Sequence, residues 1–278
     1  MRRILAAMLC IGFLILPVRG TEYAKYLAIT FDDGPSGRFT RHLLDGLEQR
    51  QVKATFLLCG YRIRQYPQET ERILRSGHEI GCHGFSHRSM EDMSRREIAA
   101  EIDDTLSLLP EGAAVRFLRP PGGCCSDAVR QVAQAKNLAI LSWSVDPKDW
   151  ATDDLQRIEK AVLGSVSDGD ILLFHDMSDS SVTAALELID LLQGKGFRFT
   201  TVSELAALRG VSLRAGKTYT AFPRKKASWE TFFPFFCPPD SAVFAPYKTQ
   251  AAQGSSLGSL AACQKSLAEF AARWRQRK

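Results

Sequence analysis

Between residues 26 and 209 the chain alternates, seven times over, between a short β-branched or aromatic run and a longer amphipathic stretch. The strand-like runs fall at 26–31, 53–58, 78–81, 115–118, 138–144, 170–174 and 197–200, and the helix-like stretches at about 38–50, 67–76, 94–109, 126–136, 153–164, 180–193 and 202–209. In the 94–109 stretch Ser94 can cap, Glu97 stands three residues later, and Ile98, Ile102, Leu106 and Leu109 recur at helical spacing. Such alternation demands crossover connections, hence a parallel sheet with helices packed on it. A barrel and an open doubly wound sheet both satisfy it.

The ends of the chain read differently. Arg2-Arg3, the apolar run Ile4–Leu16 and then Pro17-Val18-Arg19-Gly20 have the layout of a signal peptide over 1–20, which predicts a secreted or cell-envelope protein; retention as an uncleaved membrane anchor is the alternative. Residues 21–210 hold 22 Lys/Arg against 28 Asp/Glu, whereas 211–278 hold 11 against 3. This break predicts a domain over 21–210 and a basic C-terminal extension over 211–278, suited to anionic wall or membrane surfaces. A nucleic-acid partner is not expected. Within the extension Lys217–Phe222 is strand-like, 232–239 is aromatic and broken by proline, and Leu257–Arg275 is helix-like. Of the cysteines, Cys237 and Cys263 can pair in the extension, while a bond between adjacent Cys124 and Cys125 would strain the backbone.

Polar clusters recur where strands end. The first run stops at Asp32-Asp33-Gly34-Pro35. Adjacent carboxylates repel, so a buried pair needs a division of labour, one carboxylate holding a cation and the other handling protons. His83 and His87, four apart, follow the third run. With Asp33 they would make a two-histidine, one-carboxylate set that leaves a position open for water, as in catalytic metal sites. Arg119-Pro120-Pro121-Gly122-Gly123 ends the fourth run, and the arginine can fork onto Asp32. Asp146, Asp149 and Trp150 follow the fifth run, and His175 ends the sixth. The C-terminal strand ends are where α/β barrels and doubly wound sheets place their active sites.

In order, Thr30-Phe31-Asp32-Asp33-Gly34-Pro35, His83-x-x-x-His87, Arg119-Pro-Pro, Asp146-x-x-Asp149-Trp150 and Leu173-x-His175 resemble the five motifs of the polysaccharide deacetylases, the NodB-homology enzymes of carbohydrate esterase family 4. The resemblance covers about residues 25–209. It implies a distorted (β/α) barrel of about seven strands, a divalent metal (most often Zn²⁺), and removal of acetyl groups from glycans. It implies that Asp33, His83 and His87 hold the metal, Asp32 is the base, Arg119 orients Asp32, and His175 is the acid tuned by Asp149. Pro121, Gly122, Trp150 and Leu173 would line the substrate site. The expected substrate is a GlcNAc- or MurNAc-containing polysaccharide, peptidoglycan before chitin-like oligomers, giving acetate and a free amino sugar. O-deacetylation of a xylan-type glycan and a silent glycan-binding wall protein are the alternatives.

Three positions depart from the family pattern: Gly84 replaces a usual Ser or Thr, Gly122 a common aromatic, and Cys82 a small polar residue. With Cys59, Cys124 and Cys125, Cys82 suggests a thiol-rich, redox-sensitive rim.

Overall fold

The computed structural model describes residues 24–224. The first strand, β1 (Lys25–Asp32), is followed by α1 (Arg38–Gln49), β2 (Thr55–Leu58), α2 (Gly60–Gln65), α3 (Pro67–Arg75) and β3 (Glu79–Cys82). Then come α4 (Arg95–Leu106), β4 (Phe117–Leu118), α5 (Asp127–Ala135), β5 (Ala139–Leu141), α6 (Leu155–Leu163) and β6 (Ile171–His175). The described chain closes with α7 (Asp179–Gly194), β7 (Phe197–Phe199), α8 (Val202–Leu208) and β8 (Thr218–Tyr219). Single 3₁₀ turns at Pro121–Gly123 and Asp149–Ala151 follow β4 and β5. All seven expected strands form, and so do all seven expected helices. The predicted cap on α4 is present in both directions, with Ser94 and Glu97 each bonded to the other's backbone N–H.

Every named strand pair is parallel, in the order β6-β1-β2-β3-β4-β5-β8, with β7 beside the start of β1. Past β5 the backbone runs on to β6, where Ser144 and Val145 donate to the Ile171 carbonyl and Leu173 donates to that of Val145. The sheet therefore curls into a distorted (β/α) barrel, not an open sheet.

Alternation along β1 sorts its side chains. Leu27, Ile29 and Phe31 join a cluster with Leu43 and Leu47 of α1 and Leu188, Ile189 and Leu192 of α7. Phe31 stacks on its register neighbour Phe56 at 5.3 Å and lies 6.3 Å from Phe174, so one aromatic triplet ties three adjacent strands to the helical layer. The opposite face carries Ala28, Thr30 and Asp32. Ala28 packs with Leu57, Phe117, Leu141, Ile171, Val202 and Leu205.

The helix α2 has no counterpart in the periodicity of the sequence, and one expectation needs correcting. The domain boundary near Gly210 falls inside the described fold, because β8 pairs with β5 and buried Tyr219 and Phe222 stack at 5.4 Å. Arg209 also donates through Nε to the Phe222 carbonyl at 3.0 Å and pairs with Asp168. The proline-broken stretch 232–239, the helix expected over 257–275, and Cys237 and Cys263 lie outside the described residues.

Candidate active site

Five strand ends deliver the polar groups to one end of the barrel. The alternation of β1 turns Asp32 inward, and the chain then takes φ +72° at Asp33, a left-handed conformation uncommon for a non-glycine residue. Asp33 is thereby turned toward the loop after β3. Its Oδ1 lies 3.2 Å from His83 Nε2 and 2.9 Å from His87 Nε2, yet among the described residues it accepts no hydrogen bond.

The His83 tautomer follows from its other nitrogen. Nδ1 lies 2.7 Å from the Arg119 carbonyl, which can only accept, so Nδ1 carries the proton and Nε2 presents a lone pair toward Asp33. A buried carboxylate oxygen without a donor, facing an imidazole lone pair and a second imidazole, suits a divalent cation. The ligand atoms of Asp33, His83 and His87 lie within 4.8 Å of one another, the expected metal set.

Asp32 sits beside this set. Arg119, completely buried, donates through Nη1 to Asp32 Oδ1 at 2.6 Å and to Thr30 Oγ1 at 2.8 Å, and through Nη2 to the Ser142 carbonyl at 2.9 Å. With Oδ1 so engaged, Oδ2 faces His83 Nε2 at 3.8 Å. The Trp143 ring lies 5.5 Å from the guanidinium. Asp32 is thus fixed in place with one oxygen turned toward the metal-ligand set.

Beyond β6, buried Asp149 accepts from the His175 backbone N–H and faces its Nδ1, both at 2.9 Å. Burial opposes charging of His175, but Asp149 outweighs it and raises the imidazole pKa to about 9. Asp149 thus favours the protonated form of His175, with Nε2 left for the cleft. That cleft, about 370 Å³, is lined by Asp33, Asp149, Trp150, His175 and Met177 among others.

Of the expected substrate residues, Trp150 lines the cleft with 66% of its surface exposed. Pro121, Gly122 and Leu173 are not among its lining residues. Leu173 is buried on the strand one turn of the pleat before His175, and Gly122 sits at φ +70° with open space where a Cβ would point.

A family model described as polysaccharide deacetylase matches residues 19–141. A peptidoglycan-N-acetylglucosamine deacetylase of Bacillus cereus is 36% identical over 200 residues, covering 70% of this chain and 93% of the relative. The chain belongs to the polysaccharide deacetylase family.

As a polysaccharide deacetylase it is a hydrolase acting on amide bonds. The peptidoglycan-N-acetylmuramic acid deacetylase PdaC of Bacillus subtilis is 35% identical over 187 residues, 66% of this chain and 39% of that longer protein. Among solved structures, the family 4 acetyl xylan esterase of Clostridium thermocellum in complex with a cobalt ion has a TM-score of 0.66 at 33% identity, covering 72% of this chain and 100% of that one.

Several residues of this deacetylase's site escaped sequence reasoning. Thr30, part of the first motif, stands two positions before Asp32 on the same face of β1, and its role of accepting from Arg119 shows only in the fold. Met177 and Ser178, two and three positions after His175, line the cleft. Buried Asp176, raised to about 6 by burial, lies against Gly34 and accepts from Thr40. His78 is structural: its Nδ1 accepts from the Ala54 N–H at 3.1 Å, and burial lowers it to about 4.

The thiols do not form one rim. Cys59 and Cys82 are free and buried, and burial keeps both protonated, Cys82 pushed up to about 11. Protonated, water-excluded thiols are poor nucleophiles. Cys124 and Cys125 are free and partly exposed, with Cys125 Sγ 3.4 Å from Arg130.

Proposed function

We propose that this polysaccharide deacetylase is an exported, zinc-dependent enzyme that removes N-acetyl groups from the amino sugars of peptidoglycan, releasing acetate and a free amine. The observation that carries the reading is the side-by-side placement of an Asp33–His83–His87 metal set and an Asp32 carboxylate clamped by Arg119. His175, paired through Nδ1 with Asp149, lines the neighbouring cleft.

Asp33, His83 and His87 would hold the ion. When bound, zinc lowers the pKa of a coordinated water to about 7 and polarises a carbonyl. Asp32 Oδ2 takes the proton from the attacking water, while Arg119 keeps Oδ1 occupied and the carboxylate in register. His175, held by Asp149 through Nδ1, gives its Nε2 proton to the leaving amine, without which the C–N bond does not break. Trp150 at the cleft mouth offers a flat apolar face to the sugar. The basic segment beyond the described residues adds attraction to anionic wall polymer.

The likeness to an acetyl xylan esterase supports a second reading in which the same site cleaves O-acetyl esters. Acetate release from peptidoglycan, chito-oligosaccharides and acetylxylan, with and without chelator and added zinc, tests both. The first reading expects chelator-sensitive release from peptidoglycan above the others. Release that survives complete metal removal overturns the mechanism, and preference for acetylxylan overturns the substrate.

A further inference from the structure

Between the two metal-facing histidines the chain reverses over Gly84–His87, and the shape of this turn decides whether both Nε2 atoms meet Asp33. It is not an ordinary turn, since Gly84 takes φ +80° and His87 φ +59°. A left-handed histidine persists only where its surroundings over-determine it. On one side the turn is pinned by α2, whose Gly60 and Tyr61 N–H groups donate to the Gly84 and Phe85 carbonyls, both at 3.0 Å.

On the other side stands one carboxylate. Glu101 Oε2 accepts the N–H groups of Phe85 and Ser86, both at 2.7 Å, and Oε1 accepts from Ser86 Oγ at 2.6 Å. Charge-assisted bonds of this kind are roughly twice as strong as neutral ones. Glu101 is carried by α4, which is capped at Ser94 and anchored in the core by Ile98 and Ile102. Its carboxylate also lies hard against Gly84, where a Cβ would come within 3.2 Å of Oε2 and 2.8 Å of Met90 Cε. Gly84 has no side chain to bond within the turn, and Glu101 supplies three bonds to the two residues that follow it.

We infer that Glu101 is a positioning residue for the metal centre: it templates the Gly84–His87 turn so that His83 and His87 converge on Asp33. The inference rests on the metal reading above. Glu101 is not one of the ligands, so its influence passes through the turn. Removing an outer-shell partner of a metal ligand costs about 10- to 100-fold in affinity.

The test is titration of the full-length, metal-free protein with Co(II), read by visible absorption and by competition with a chromophoric chelator, alongside thermal melts. Glu101→Ala is expected to bind Co(II) about 10- to 100-fold more weakly with a changed visible spectrum. Glu101→Gln, whose amide oxygen can accept both N–H groups while its NH₂ donates to Ser86, is expected to stay within about threefold of wild type. Ser86→Ala, which removes one bond and leaves α4 untouched, should weaken binding less than Glu101→Ala and keep the wild-type melt. Wild-type affinity in Glu101→Ala, or Gln binding as weakly as Ala, overturns the inference while leaving the metal reading intact. A wild-type protein that binds no Co(II) removes the metal reading, and this inference with it.

Discussion

Arg119 donates through Nη1 to Asp32 Oδ1 at 2.6 Å, and its own carbonyl lies 2.7 Å from His83 Nδ1. One residue just past the two-residue strand β4 therefore sets both Asp32, the proposed base, and His83, a proposed metal ligand. The side-chain bond fixes the direction of Asp32; the backbone bond fixes the tautomer and tilt of His83.

Arg119→Lys keeps the charge and loses the fork that reaches Asp32, Thr30 and Ser142 together. We expect bound metal to be retained and kcat to fall by about 10- to 100-fold, the loss expected when a base is misplaced by an ångström or so. Arg119→Met leaves Asp32 buried and unpaired, and should destabilise the protein by about 3–5 kcal/mol in urea unfolding.

The His175–Asp149 pair predicts the alkaline side of the pH profile. The folded-state pKa of His175 stands near 9, above the ordinary value of 6.5. The stability this contributes is full below the unfolded value and is lost as pH rises through about 9. The proton needed by the leaving amine disappears over the same range, so kcat should decline with a midpoint near 9. Asp149→Asn removes the group that raises the pKa, and the midpoint should move down by a unit or more. An unchanged alkaline limb in Asp149→Asn would remove His175 from the proton-donor role.

The fold's C-terminal limit can be tested by truncation. A chain ending at Gly210 loses β8 and the buried rings of Tyr219 and Phe222. Losing one buried aromatic costs about 3–5 kcal/mol, so this truncation should melt far below the full-length protein or fail to fold. A chain ending at Arg224 retains these contacts and should melt close to the full-length protein. Equal melts for the two truncations would restore a boundary at Gly210.

Much of this architecture was legible because β1, β2 and β6 are buried on both faces and read as unbroken apolar runs that stop abruptly at polar residues. Asp33, His83 and His87 were legible for the same reason, as polar groups at strand ends. Leu173 and Trp150 show the limit: sequence names them together, but one is buried in β6 and the other exposed at the cleft. The helix α2 has only six residues and no side-chain cap, and its first N–H groups are engaged by the His83–His87 loop, a tertiary event. The charge change at Gly210 records composition, whereas the burial of Tyr219 and Phe222 depends on packing against β5 and α8. Glu101 reads in sequence as one more acidic helix position; only the arrangement of α4 against the β3 loop gives it a partner.

The central claim is that two adjacent carboxylates have different tasks, Asp33 holding the metal and Asp32 moving the proton. Metal content and acetate release measured together in Asp32→Asn and Asp33→Ala test it most directly. We expect Asp32→Asn to keep about one metal per chain while turnover falls by about 10²- to 10⁴-fold, the usual loss for a missing base. Asp33→Ala should lose both metal and turnover. Full metal content and activity in Asp33→Ala, or wild-type turnover in Asp32→Asn, would contradict the account.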